Sequence, residues 1–309
     1  VTDLRLGPVD TPMTADHLVM MGSITKELTQ LLSYILVEEG ELAFEARIDT
    51  YLEGLPPRTA AITIGQLVHH TSGLPDLIDE HGRPVPYTVE YDYLPVSRAQ
   101  LIERVAEADL LFAPGSGEEY SNLGYNLLGA ILEIATGETY EGLLTSRIFD
   151  KAGMTDTGYW FTDGRQRRFA AGCVPGGGRW GSPVPDRMWG PEGASWNLKA
   201  AGGLLTTVDD LARWLGGLGN GRFLGPEMQR RYLDERLVLS KTRGERVMGP
   251  AGSNGIFNAV AYWTETSDLR VVVVTSRSDH QAERAGIARH VIRTAFQYLE
   301  SSPSLPSPD

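Results

Sequence analysis

Leu28, Leu31, Leu32, Ile35 and Leu36 recur at three- and four-residue spacing, the period of a helix with one buried face. Ser23 stands where this helix would open and Gly40 where it would stop. The same period predicts a short helix over 64–70 and one from Ser97 to about Ala108. An apolar helix is expected from Asn122 through Leu127, Leu128, Ile131, Leu132 and Ile134 to Gly137, and another from a Thr139 cap to about Gly153. Thr207 caps a helix over 208–215, with Asp209 and Asp210 in the first turn, where the helix dipole favours acids. Pro226 starts a further short helix, and an amphipathic one is expected over about 281–299. Late in the chain, 257–263 and 269–276 are β-rich and read as an antiparallel hairpin joined by residues 264–268. Residues 1–22, 76–96 and 155–197 are broken by Gly and Pro and read as extended or loop segments, and 301–309 as a disordered tail. Helices fill the middle and strands come late, which predicts an α+β fold rather than alternating βαβ units.

Composition narrows the choice. At 309 residues the chain exceeds the usual size of one core, which implies two lobes. A hydrophobic content of 41% excludes general disorder, and no apolar run approaches the roughly 20 residues of a membrane helix. With 28 basic against 40 acidic residues, and no basic cluster beyond Arg165-Gln166-Arg167-Arg168, nucleic acid is not an expected partner. The single cysteine, Cys173, excludes an intrachain disulfide and a Cys-based zinc site, and reads as a small packed side chain. His69-His70 lacks metal-motif spacing, so neither a metal nor another cofactor is expected. From Val1 onward no basic segment precedes an apolar one, so no leader is read in this chain. Location stays open: cytoplasmic if Val1 is near the true start, secreted or periplasmic if a leader was removed.

Two short motifs carry chemistry. In Gly22-Ser23-Ile24-Thr25-Lys26 a serine stands at a helix start, where the dipole stabilises a developing oxyanion. Lys26 lies one turn on, so its amine can reach the hydroxyl and, if desolvated, act as a base. The plainer reading is a Ser23 cap and a surface lysine, although the chain has only four lysines. In Tyr120-Ser121-Asn122 a phenol can relay a proton and an amide can orient a carbonyl. Here the plainer reading is a cap by Asn122 and a packed Tyr120.

Taken together, the motifs resemble those of the serine β-lactamase and penicillin-binding-protein superfamily, most closely its class C-like serine hydrolase and D-peptidase branch. Gly22-Ser23-Ile24-Thr25-Lys26 is similar to the nucleophile motif, and Tyr120-Ser121-Asn122 to the Tyr-x-Asn motif. His70-Thr71-Ser72-Gly73-Leu74-Pro75 and Ala201-Gly202-Gly203-Leu204 resemble further family stretches. The resemblance spans roughly Asp3 to Leu299. It implies an antiparallel sheet flanked by helices plus a mostly helical lobe. The sheet domain would take 1–39 and 196–300, with the nucleophile helix at the interface, and the helical lobe 40–195. It also makes His69 and His70 scaffold.

Two departures accompany the resemblance. The third family motif, Lys/His-x-Gly, aligns best with Pro250-Ala251-Gly252-Ser253, so a proline that can neither donate nor titrate stands where a cation is expected. A second register, Lys241-Thr242-Arg243-Gly244, restores a lysine but leaves the hairpin unexplained. Only 22 residues precede Ser23, so the chain looks shortened by a helix and about two strands. An open sheet edge there would favour pairing with a second copy, a homodimer.

The resulting expectation is acyl transfer through a covalent serine. Ser23 attacks, Lys26 and Tyr120 move its proton, Asn122 orients the substrate, and Gly252 with the Ser253 N–H lines the oxyanion site. The substrate is a small molecule or peptide bearing an ester, a D-amino-acid amide or a β-lactam. Missing the third-motif cation shifts the expectation toward uncharged esters and amides. An acyltransferase or peptide cyclase on the same scaffold, and an inactive binding or regulatory relative, are the alternatives.

Overall fold

The structure, a computed structural model, describes residues 14–79, 83–85, 95–159, 168–169, 189–190, 193–240, 244–253, 257–275 and 294. The helix expected over 281–299, the tail, Cys173 and the Lys241 register lie outside these residues.

The first helix, α1 (Ile24–Glu38), is buried along nearly its whole length, polar positions included. Its leucines at 28, 31 and 32 are fully buried, where truncation to alanine costs about 2–5 kcal/mol each. The buried polar side chains have local solutions. Thr29 Oγ1 meets the Ala200 carbonyl at 2.7 Å, and Ser33 Oγ donates to the Thr29 carbonyl at 2.9 Å. Gly40, at φ +78°, takes the left-handed turn that lets the chain leave.

Around α1 stand α2 (Ile64–Val68), α3 (Arg98–Glu107), α4 (Asn122–Thr136) and α5 (Tyr140–Leu144), the last continuing through a π turn at Thr145–Phe149 to Asp150–Ala152. Thr63 and Ser97 open α2 and α3 with capping boxes to Gln66 and Gln100. A short helix, α6 (Lys199–Gly202), is followed by α7 (Val208–Gly219) and α8 (Pro226–Arg236). Thr207 caps α7 as its position implies, and Asp210 turns inward to receive Thr157 Oγ1 and Arg213. One buried cluster runs from Met21 through α4 to Trp263, joining the helical stretch to the strands.

Strand β1 (Val19–Met20) pairs antiparallel with β2 (Leu205–Thr206). Among the described residues this ladder is separate from the larger sheet. The larger sheet is an antiparallel meander of β3 (Val238–Leu239), β4 (Arg246–Met248), β5 (Ala251–Ser253), β6 (Asn258–Thr264) and β7 (Arg270–Thr275). The β6–β7 hairpin matches the expected one to within a residue. Strands β4 and β5 keep the same register against β6, Met248↔Trp263 and Ala251↔Val260, so they are one strand. Pro250 interrupts its ladder because it has no N–H, while its carbonyl still accepts from Ala261 at 3.0 Å. No helix among the described residues is long and apolar enough to cross a membrane.

Candidate active site

Ser23 occupies the N-cap position of α1, but its side chain caps nothing. Its Oγ lies 2.7 Å from Tyr120 Oη instead. Lys26, one turn inward, is 4% exposed, and its Nζ donates to Asn122 Oδ1 and to the Ala201 carbonyl, each at 2.6 Å. It also lies 4.7 Å from the centre of the Tyr120 ring. The structure therefore brings Ser23, Lys26, Tyr120 and Asn122 together, and neither a surface lysine nor a serine cap describes it. The α4 cap is Ser121, whose Oγ accepts from the Gly124 N–H at 2.8 Å, so the cap expected at Asn122 moves back one residue.

Asn122 is held from behind by Asp76, a residue the motifs did not single out. Asp76 Oδ1 accepts from the Asn122 backbone N–H at 2.9 Å and from Nδ2 at 2.8 Å. A carboxylate requires the NH2 end of the amide and a lysine requires its oxygen, so the orientation of Asn122 is set by chemistry on both sides. Its Nδ2 is thus engaged by Asp76 rather than turned wholly to a substrate.

The loop 70–76 acts as the cast for the Tyr-Ser-Asn segment. His70 Nδ1 accepts from the Ser121 N–H at 3.1 Å, its carbonyl accepts from the Glu119 N–H at 2.9 Å, and its ring lies 4.8 Å from both Tyr120 and Tyr125. Pro75 and Asp76 carbonyls receive Ser121 Oγ and the Leu123 N–H. His70 adopts φ +58°, a left-handed conformation that a non-glycine residue takes only when its surroundings hold it there. Burial, helped by Lys26, Arg236 and His69, lowers its imidazole to about 4, so it is neutral and Nδ1 is an acceptor. Tyr120 is 42% exposed as a residue, yet desolvation around its phenol pushes it up to about 12. The Ser23 hydrogen bond draws it back, and Asp76 and Glu27 add to the rise.

On the far side of Ser23, β5 lies backbone to backbone against Met21–Ser23. A Cβ on Gly252 would overlap the Met21 carbonyl oxygen and come within 2.8 Å of the Ser23 nitrogen. A Cβ on Gly22, itself at φ +55°, would stand 2.5 Å from the Ser253 nitrogen. The Ala261 N–H bond to Pro250 makes 250–261, and by alternation 252–259, the hydrogen-bonded pairs of this ladder. The Ser253 N–H therefore lies off the β6 ladder on the side of Gly22, while its Oγ donates to Asn258 Oδ1 at 2.7 Å. The Ser23 N–H has no partner among the described residues, whereas the next three N–H groups bond back to Met21, Gly22 and Ser23 carbonyls. No group of metal-binding side chains occurs among the described residues.

A family model described as Beta-lactamase matches residues 4–296. The chain belongs to the beta-lactamase family. Within that family it is 36% identical over 191 residues to esterase EstB of Burkholderia gladioli, covering 57% of this chain and 45% of EstB. It is 33% identical over 149 residues to penicillin-binding protein 4* of Bacillus subtilis, covering 47% of this chain and 31% of that protein. The matched parts thus span less than half the length of these two relatives. Among solved structures, D-amino acid amidase from Ochrobactrum anthropi SV3 superimposes with a TM-score of 0.74 at 24% identity, over 94% of this chain and 87% of the amidase. That similarity shows a shared beta-lactamase-family fold, the α+β arrangement expected from the sequence.

Proposed function

We propose that the protein is a serine hydrolase that cleaves an uncharged ester or amide through an acyl-Ser23 intermediate. The observation that carries this reading is the 2.7 Å contact of Ser23 Oγ with Tyr120 Oη over a buried Lys26. Ser23 Oγ attacks the carbonyl carbon, and its proton passes to Tyr120 Oη. A phenol near 12 is protonated at neutral pH, so Tyr120 must give up its own proton as it receives one. Lys26 is the acceptor. Asn122 Oδ1 and the Ala201 carbonyl each accept from Nζ and hold it under the Tyr120 ring, where it takes the proton and returns it. The N–H groups of Ser23 and Ser253 stabilise the oxyanion. Tyr120 returns the proton to the leaving atom, and water attacks the acyl-enzyme by the reverse route.

Several observations support an uncharged substrate. Pro250 offers neither charge nor N–H. Arg246 is tied to Asp234 and Glu265, and Arg236 to Glu27, so neither arginine is a ready partner for a substrate carboxylate. The similarity to EstB fits an ester, and that to the amidase an amide. The test is turnover of a small neutral acyl ester with labelling by a fluorophosphonate. Ser23→Ala should lower turnover by at least about a hundredfold and abolish labelling. Turnover within a few-fold of the parent would overturn the assignment.

A further inference from the structure

The cleft at Ser23 does not end at the catalytic group. It is a trench of about 440 Å³ whose floor is the α1 face carrying Ser23, Lys26, Glu27 and Gln30. These positions share one face because they are spaced by three and four residues. Seven residues at 1.5 Å each make that floor roughly 10 Å long, the reach of about three extended residues. At the far end His69 Nε2 and Glu235 Oε2, both in the trench lining, approach to 3.5 Å and close it.

Gln30 is 3% exposed, lines the trench, and its amide has no hydrogen-bond partner among the described residues. The amide atoms are not among the fully buried partnerless ones of the described residues, so they open to the trench, where a ligand amide can take the place of water on both Oε1 and Nε2. The acids along the walls meet arginines: Arg236 Nε donates to Glu27 at 3.1 Å, and Arg231 Nε to Glu235 at 3.4 Å. The exposed Glu118 at the lining disfavours an anion. In the proposed mechanism Tyr120 protonates the leaving atom, so the leaving group lies on the Tyr120 side of Ser23. Tyr120 and Tyr125 both line this trench.

We propose that the trench is a leaving-group subsite for an extended, uncharged chain two to three residues long that presents a peptide amide or carboxamide to Gln30. This rests on the acyl-Ser23 reading for its polarity. The amide N–H and carbonyl of the chain pair with Oε1 and Nε2 of Gln30, and the matched ion pairs flank it without attracting a charge.

The experiment uses acetate esters of hydroxyacyl-glycine amides of increasing length. Each is matched to the acetate of a straight-chain alcohol of equal length and to the corresponding free carboxylate. At two to three residues the amide should exceed its hydrocarbon match in kcat/KM by about tenfold, the value of one net hydrogen bond. It should exceed the carboxylate by at least as much, and Gln30→Met should bring the amide-to-hydrocarbon ratio close to one. A ratio near one in the parent, or one unchanged by Gln30→Met, overturns the subsite. Binding of the uncleaved esters to Ser23→Ala, by calorimetry, reads the same preference without turnover, and thermal melting checks that each variant is folded. Acetate esters cleaved through Ser23 with no amide preference would sink the subsite alone. Turnover that survives Ser23→Ala would sink the acyl-serine reading, while calorimetry still decides the subsite.

Discussion

The two sides of Ser23 are built by different means. On the Tyr120 side every working group is a side chain, and each is braced by another: Lys26 by Asn122 and Ala201, Asn122 by Asp76, and the Tyr120 segment by His70. On the β5 side only backbone is offered, at positions 252 and 253, with no side chain of consequence and a proline at the head of the strand. The first arrangement moves protons and depends on charge. The second holds an oxyanion and depends on how closely two backbones approach. Substitutions on the two sides should therefore fail in different ways.

The largest effect is expected on the backbone side. Gly252→Ala puts a methyl group into the Met21 carbonyl and against the Ser23 nitrogen, so β5 must move away. Losing one oxyanion donor should lower kcat about a hundredfold or more, with little change in the pH profile.

On the side-chain side, Asp76→Ala should lower kcat by about ten- to a hundredfold, because Asn122 loses the partner that aims it at Lys26. Asp76→Asn keeps an acceptor but removes a negative charge that raises Tyr120. Deprotonation then becomes easier, so the alkaline limb of kcat/KM should move to lower pH. A limb that stays in place would show that Asp76 is only scaffold.

A smaller effect is expected from restoring a cation. Pro250→His should raise the preference for a free-acid substrate over its methyl ester by about tenfold through a charge-assisted bond. A strong preference for the acid in the parent would mean that another cation already fills that role.

The smallest concerns stability. His70 is neutral in the fold down to about 4, against an ordinary 6.5. Between these values the unfolded chain binds a proton that the folded chain does not, so stability falls as the pH drops through that window. The loss is at most about 3 kcal/mol, less because solvent reaches part of the ring. Tm measured from pH 7 to 4 should fall, and less steeply in His70→Asn.

The sequence showed most clearly what local spacing controls. The α1 period, the caps at Ser97, Thr139 and Thr207, and the β6–β7 hairpin all follow from neighbours a few residues apart. Ser23 and Lys26 were visible for the same reason. Asp76, the Ala201 carbonyl and the acceptor role of His70 were not, because their partners lie 46, 175 and 51 residues away. Gln30 reads as the polar face of an amphipathic helix, and only the surrounding helices make it buried. Strand β4–β5 was hidden by Gly249-Pro250, which break its pattern although its pairing to β6 runs on through them.

The burial of Lys26 also has a practical side for anyone attaching this protein to a surface or a dye. Of the lysines in the described residues, Lys26 and Lys199 are 4% and 3% exposed, whereas Lys151 is exposed at the end of α5. Among these three lysines, amine-directed reagents should therefore react at Lys151 and spare the ε-amine beside Ser23. A peptide map after mild acetylation would show the modification at Lys151 and the Ser23–Lys26 segment unlabelled.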